Sequence, residues 1–261
     1  MSRYAAMFAK GEGVFGAFVM LGDPDLETSA AILDALVEGG ADMLELGIPF
    51  SDPVADGPVI QAAAERALRR GVTPGDCFAL LGAFRVRYPQ VPVGILTYAN
   101  LVLARGRDAF YRNAAAAGVD SVLVADVPLF EAAPYAAGAR THGVEPVLIA
   151  AANTPEARLR EIASLGGGYT YCVARAGVTG AGETVRFDHG AMLATLREAN
   201  APPPIFGFGI SRSEHVRAAL DAGAAGVISG SAIVERIAAG APVQDFIQEM
   251  KAATHAQTRS G

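Results

Sequence analysis

Short apolar runs alternate with helix-length amphipathic stretches along the whole chain, and no other feature limits its fold so strongly. The strand-like runs are residues 17–21, 42–47, 92–97, 121–125, 145–150, 169–173, 205–208 and 226–229. Between them lie helical patterns such as 26–38, 109–117, 156–164 and 213–221. Stop signals fall at Gly39-Gly40, Gly118, Gly143 and Gly223, as helix ends favour glycine. Start signals fall at Thr28 and Ser29, at Thr154-Pro155, and at Ser211 or Ser213. Strands that alternate with helices pair in parallel through right-handed crossovers. Five or six such units make an open sheet, and eight close a barrel. Eight runs in 261 residues, against about 250 for a typical barrel of this kind, predict an α/β fold, the (β/α)8 TIM barrel. With no linker-like stretch or shift in composition, residues 1–261 are expected to form one domain.

Composition supports this reading and excludes others. About half the residues are hydrophobic (51%), which suits strands covered on both faces. The net charge of −6 argues against a nucleic-acid partner, which clustered Lys and Arg would hold. Residues 1–10 place Tyr4, Met7 and Phe8 at helical spacing, predicting a short amphipathic N-terminal helix. No apolar run approaches the roughly 18 residues that read as a membrane span. Cys77 and Cys172 are isolated and read as small buried apolar residues in a reduced, cytoplasmic setting.

Three constellations carry the chemistry. The first runs from Glu45 to Pro58. Period-two alternation puts Met43, Glu45 and Gly47 on one face of a strand and Leu44 and Leu46 on the other. A carboxylate inside a buried strand is costly unless paired or protonated. Glu45 is therefore either a general acid/base with a raised pKa in a barrel mouth, or a hydrogen-bonded structural group. Asp56 sits among Pro49, Pro53, Gly57 and Pro58, which restrict the backbone. It either belongs to the site or, like Asp52, caps a turn or the helix beginning near Pro58.

The second constellation comprises Gly207, Phe208, Gly209 and Ser211, then Ser229, Gly230 and Ser231. Each stretch is a strand running into glycine and serine at a helix start, where free N–H groups can face an anion. They follow the seventh and eighth runs, the usual place for a barrel's phosphate site, and an extra helical turn is expected beside it. The third is residues 169–182, in which Tyr169 and Tyr171 share a face and a glycine-rich stretch follows. Tyr169 reads as a core residue, and residues 175–188 as a lid. The lysines, Lys10 and Lys251, lie near the two ends, and the four histidines show no metal-ligand spacing. The chemistry is therefore expected to run on carboxylates, with no metal and no cofactor in this chain.

These residues resemble the alpha chain family of tryptophan synthase. The matching stretches are LGDPD near Leu21, ELGIPFSDPVADGP from Glu45, TYANLV from Thr97, SVLVADVP from Ser121, YTYCVARAGVTG from Tyr169, GFGIS from Gly207 and GAAGVISGSAIV from Gly223. The resemblance implies a lyase that splits indole-3-glycerol phosphate into indole and glyceraldehyde 3-phosphate. It assigns Glu45 as acid/base, Asp56 as the carboxylate holding the indole N–H, and Tyr171 as the tyrosine beside the glutamate. Phe18, Leu96, Thr179 and Phe208 would contact substrate, and Gly180, Gly209, Gly230 and Ser231 would hold the phosphate. It further implies a beta chain as partner in an alpha2-beta2 heterotetramer, with pyridoxal phosphate in that partner. Ala176, Met20 and the run from Ala150 to Asn153 depart from the family's usual pattern. Two rivals stay open on the residues alone: a sugar-phosphate isomerase or epimerase on the same scaffold, and a binding subunit that activates its partner.

Overall fold

In the computed structural model, which describes residues 1–173 and 189–255, the apolar runs become parallel strands. They are β1 (Val14–Met20), β2 (Met43–Gly47), β3 (Val93–Thr97), β4 (Ser121–Val124), β5 (Glu145–Pro146), β6 (Leu148–Ala151), β7 (Thr170–Val173), β8 (Pro204–Gly207) and β9 (Gly226–Ser229). The order across the sheet is β5-β4-β3-β2-β1-β9-β8-β7-β6. Its two ends, β5 and β6, are separated in the chain by Val147 alone, so the order bends round into a barrel of eight strands with the fifth in two pieces. Pro146 explains the split: it has no N–H for the ladder, and pairing with β7 begins only at Leu148.

Helices cover the outside. They are α1 (Arg3–Phe8), α2 (Leu26–Glu38), α3 (Pro58–Arg69), α4 (Pro74–Arg87), α5 (Ala99–Leu103), α6 (Arg107–Ala116), α7 (Ala132–Thr141), α8 (Glu156–Leu165), α9 (Gly190–Glu198), α10 (Ser213–Asp221), α11 (Ser231–Ala238) and α12 (Gln244–Ala252). Strand alternation divides the core in two. Phe15, Ala17, Leu44, Ile95, Cys172 and Val227 point outward into the helix layer. Phe18, Met43, Leu123, Tyr171, Ile205 and Ile228 fill the barrel. Helix α1 closes the amino end, where the Tyr4 and Ser121 hydroxyls lie 2.8 Å apart and the Tyr4 ring lies 5.5 Å from that of Tyr169. Among the described residues no helix is long and apolar enough to cross a membrane. Cys77 and Cys172 are buried and free, and burial pushes both thiols up to about 12.

The structure corrects several local expectations. Strand β1 starts at Val14, three residues before the sequence pattern suggested. Gly16, which hides the start of the apolar run, is packed by Ile228 and Met43, and a Cβ there would lie 2.8 Å from Ile228 Cγ1. Helix α2 is capped by Asp25, which accepts from the Thr28 amide at 2.8 Å. The Ser29 hydroxyl instead accepts from the Gly22 amide at 3.0 Å and ties down the turn after β1. That turn also anchors α3, because the buried Asp23 carboxylate receives two hydrogen bonds of 2.7 Å from Arg66. Among the described residues two helices follow β9: α11 starts at the last glycine turn and is the extra element expected there, and α12 adds to the outer layer.

Candidate active site

The inward face of β2 carries Glu45 into the barrel, where it is 1% exposed. Burial in apolar surroundings disfavours its charged form and lifts its pKa from 4.5 to about 7. The Tyr169 hydroxyl donates to Oε1 at 2.6 Å and opposes the rise, while the nearby negative charge of Asp56 adds to it. Among the described residues Glu45 forms no ion pair. A carboxyl that titrates near neutrality can both give and take a proton under physiological conditions.

Asp56 lies in the loop between β2 and α3. The residue capping α3 is Gly57, with no side-chain cap bond, so the Asp56 carboxyl is free of the capping role. Instead it lines the cleft above Glu45. Burial raises its pKa, and the Tyr98 hydroxyl opposes that shift. The Tyr98 hydroxyl is itself buried beside this carboxyl. Its ring stacks on Phe50 at 5.3 Å.

The cleft around these carboxyls has a volume of about 370 Å³. Phe18, Leu96, Ile60, Ile228, Tyr171 and Phe208 provide apolar walls. Phe208 adopts a left-handed φ of 65°, is half exposed, and meets the Tyr171 ring edge-on at 6.1 Å. At the other end are Gly209, Ser211, Gly230 and Ser231. Gly230 caps α11 without a side chain, and the first amides of a helix lack internal acceptors, so they can receive an anion. The Ser229 hydroxyl, buried behind them, donates to the Ile210 carbonyl at 2.6 Å and ties the two glycine turns together.

The structure thus brings Glu45, Asp56, Tyr171, Phe18, Leu96, Phe208, Gly209, Gly230 and Ser231 around one cleft. Thr179, Gly180 and the stretch read as a lid lie outside the described residues. The tyrosine bonded to Glu45 is Tyr169, which the sequence pattern placed in the core; Tyr171 forms the wall beside it. A usable signal existed, because a buried phenol needs a partner and Tyr169 shares a face with Tyr171. Ser211, from the second constellation, borders the cleft as well, as do Ile60 and Glu235, which were not singled out for it. Among the described residues no group of three or more His, Cys, Asp or Glu is placed to hold a metal ion.

The Glu45 shift has a consequence for stability. Between pH 4.5 and about 7 the folded protein keeps a proton that the unfolded chain has lost. Stability from this group is therefore full at low pH, falls as pH rises through that window, and levels off above it. A shift of this size corresponds to a change on the order of 3 kcal/mol. In denaturant titrations, Glu45→Gln is expected to gain stability relative to the parent as pH rises from about 5 to about 8. A stability difference independent of pH would contradict the buried, protonated state.

Fold and site together define a (β/α)8-barrel enzyme whose carboxylate groups face glycine- and serine-rich turns at the carboxyl end. The family model described as "Tryptophan synthase alpha chain" matches residues 4–259. The chain belongs to the tryptophan synthase alpha chain family. It is 53% identical to the alpha chain of Shewanella amazonensis over 97% of its own length and 100% of that relative's. The Escherichia coli alpha chain is 52% identical over 97% of this chain and 99% of the relative. Among solved structures, the Legionella pneumophila alpha chain superposes with a TM-score of 0.86 at 29% identity, covering 97% of each chain. A chain of Mycobacterium tuberculosis tryptophan synthase gives 0.87 at 29% identity, covering 98% of this chain and 100% of that one.

Proposed function

We propose that this chain cleaves indole-3-glycerol phosphate into indole and glyceraldehyde 3-phosphate, with Glu45 and Asp56 as the working groups. Aldol cleavage needs somewhere for the electrons of the breaking bond to go. Indole can supply that sink itself. Protonation at the ring carbon bearing the glycerol chain makes the ring a cation with iminium character at its nitrogen. The carbon–carbon bond then breaks, its electrons return to the ring as neutral indole, and the adjacent glycerol hydroxyl becomes the aldehyde as it loses its proton. Glu45 gives the proton to the ring carbon and, once ionised, is the group to receive the hydroxyl proton. Asp56 accepts the indole N–H and steadies the positive charge that builds there. Phe18, Leu96, Phe208 and Tyr171 hold the ring. Thr179 contributes to the substrate site, and the backbone at Gly180, Gly209, Gly230 and Ser231 holds the phosphate.

The observation that carries this reading is two carboxyls of raised pKa in one apolar cleft that ends at the start of α11. The family adds the rest: indole passes to a beta chain within an alpha2-beta2 assembly, pyridoxal phosphate belongs to that partner, and the pair works in the cytoplasm. Incubating the chain with indole-3-glycerol phosphate, with and without a beta chain, tests the proposal. Indole and glyceraldehyde 3-phosphate should appear in equal amounts, and their absence in both arms would refute it.

The Tyr169 hydroxyl makes a second test possible. As a donor to Glu45 it holds the carboxyl's pKa below the value that burial alone would set. Tyr169→Phe should therefore move the alkaline limb of the kcat/KM profile to higher pH, because Glu45 would keep its proton longer. A limb that stays in place would mean the pH dependence belongs to another group.

A further inference from the structure

A buried imidazole stands behind the turn carrying Phe208, Gly209 and Ser211, and the chemistry above makes no use of it. His215 lies in the first turn of α10 with 7% of its surface exposed. Its Nδ1 accepts from the Ser211 amide at 3.3 Å. A ring nitrogen accepts only when it carries no proton, so the ring is neutral with its hydrogen on Nε2. Arg212 Nη2 stands 3.3 Å from Nε2, and a neutral ring cannot accept from both donors. The amide is fixed by the turn while Arg212 is exposed and can turn to solvent, so the amide keeps the bond. Burial favours the neutral ring most, and the Arg212 charge next; the Gly209 backbone and Glu214 act in the opposite sense.

The turn needs such support. Phe208 and Gly209 are consecutive left-handed residues, at φ 65° and 75°. A side-chain-bearing residue is seldom found there unless its surroundings hold it. From one side the Ser229 hydroxyl holds the Ile210 carbonyl; from the other His215 holds the next residue's amide. That amide is occupied, so Ser211 can offer an anion its hydroxyl, while the Gly209 backbone is set at the angle the two pins dictate.

We propose that His215 is a positioning residue that fixes the 208–211 turn in the shape that receives the substrate phosphate and forms one wall of the indole pocket. This rests on the reading of the cleft given under Proposed function. The test compares His215→Leu, which fills the space without an acceptor, with His215→Asn, whose amide oxygen can fall near the Nδ1 position. KM for indole-3-glycerol phosphate and the inhibition constant of inorganic phosphate should both rise about tenfold in the Leu variant, the scale of one lost buried hydrogen bond. Its kcat should stay within about threefold, and the Asn variant should recover both constants to within about threefold of the parent. A purely structural role would lower the melting temperature without this split between KM and kcat.

The proposal is overturned if the Leu variant keeps both constants within about twofold, if Asn is as impaired as Leu, or if the loss falls in kcat alone. Should either variant fail to fold, nitrogen NMR of labelled histidine in the unaltered protein decides the matter. The His215 Nδ1 resonance should be that of an unprotonated, accepting nitrogen and should shift when inorganic phosphate is added. A protonated Nδ1, or a resonance indifferent to phosphate, would sink the proposal. If the parent itself releases no indole with or without a beta chain, the underlying reading of the cleft fails. If it does and the Leu variant matches it, only the role of His215 fails.

Discussion

Replacing Glu45 by Gln is expected to lower indole release from indole-3-glycerol phosphate by about 10²–10⁴-fold, the usual contribution of one general acid/base group. The substitution keeps the volume of the side chain and leaves an oxygen to accept from the Tyr169 hydroxyl, so the barrel interior should pack as before. What disappears is the exchangeable proton. Because Gln can still line the cleft, KM should change little and the loss should fall on kcat. The same variant should be at least as stable as the parent at neutral pH, since the desolvation that lifts the Glu45 pKa no longer applies. A variant that is inactive yet well folded is therefore the expected result. Activity within about tenfold of the parent would mean that another group delivers the proton.

Gly207→Ala is expected to lower kcat/KM by roughly 100-fold, the scale for misplacing reactive groups by about an ångström. Gly207 ends β8 on the inward side, and a Cβ there would fall inside the Tyr171 phenol, against its hydroxyl and ring carbons. The ring cannot simply withdraw, because Tyr171 is 5% exposed and meets Phe208 on its outer edge. Displacing it would move the wall beside Glu45 and push Phe208 out of its left-handed turn. Overpacking of this kind typically costs about 1–3 kcal/mol of stability. Steady-state kinetics and thermal melts on the alanine variant check both numbers. Adding Tyr171→Phe removes the atom nearest the new Cβ and should recover part of the stability. An alanine variant with parental activity would show that the cleft tolerates a moved Tyr171.

The candidate site was readable to an unusual depth because its parts obey short-range rules. Strand alternation alone groups Glu45 with Met43 and Gly47 on one face, and the two glycine turns announce themselves by following the last two strands. Asp56 was less legible. Nothing local distinguishes a capping aspartate from one free to enter a cleft, and the choice followed only from Gly57 taking the cap position. Tyr169 is in the core as read, but its bond to Glu45 was hidden for a related reason. Its partner is 124 residues away in the chain, and periodicity says which face a side chain takes but not what waits across the barrel. The burial of His215 was not legible because it depends on how α10 settles against the turn before it.

By itself the sequence determined the parallel α/β plan, which side chains of β2 and β7 share a face, and the ends at which glycine loosens the backbone. Those properties arise from steric rules acting over a few residues, so they survive without any knowledge of neighbours. Only the tertiary structure decided that the fifth strand breaks at Pro146 to close the ring, that Tyr169 is the residue bonded to Glu45, and that Glu45 titrates near neutrality. Each depends on atoms brought together from distant segments and on the exclusion of water between them, and neither distance nor hydration is encoded in a local pattern.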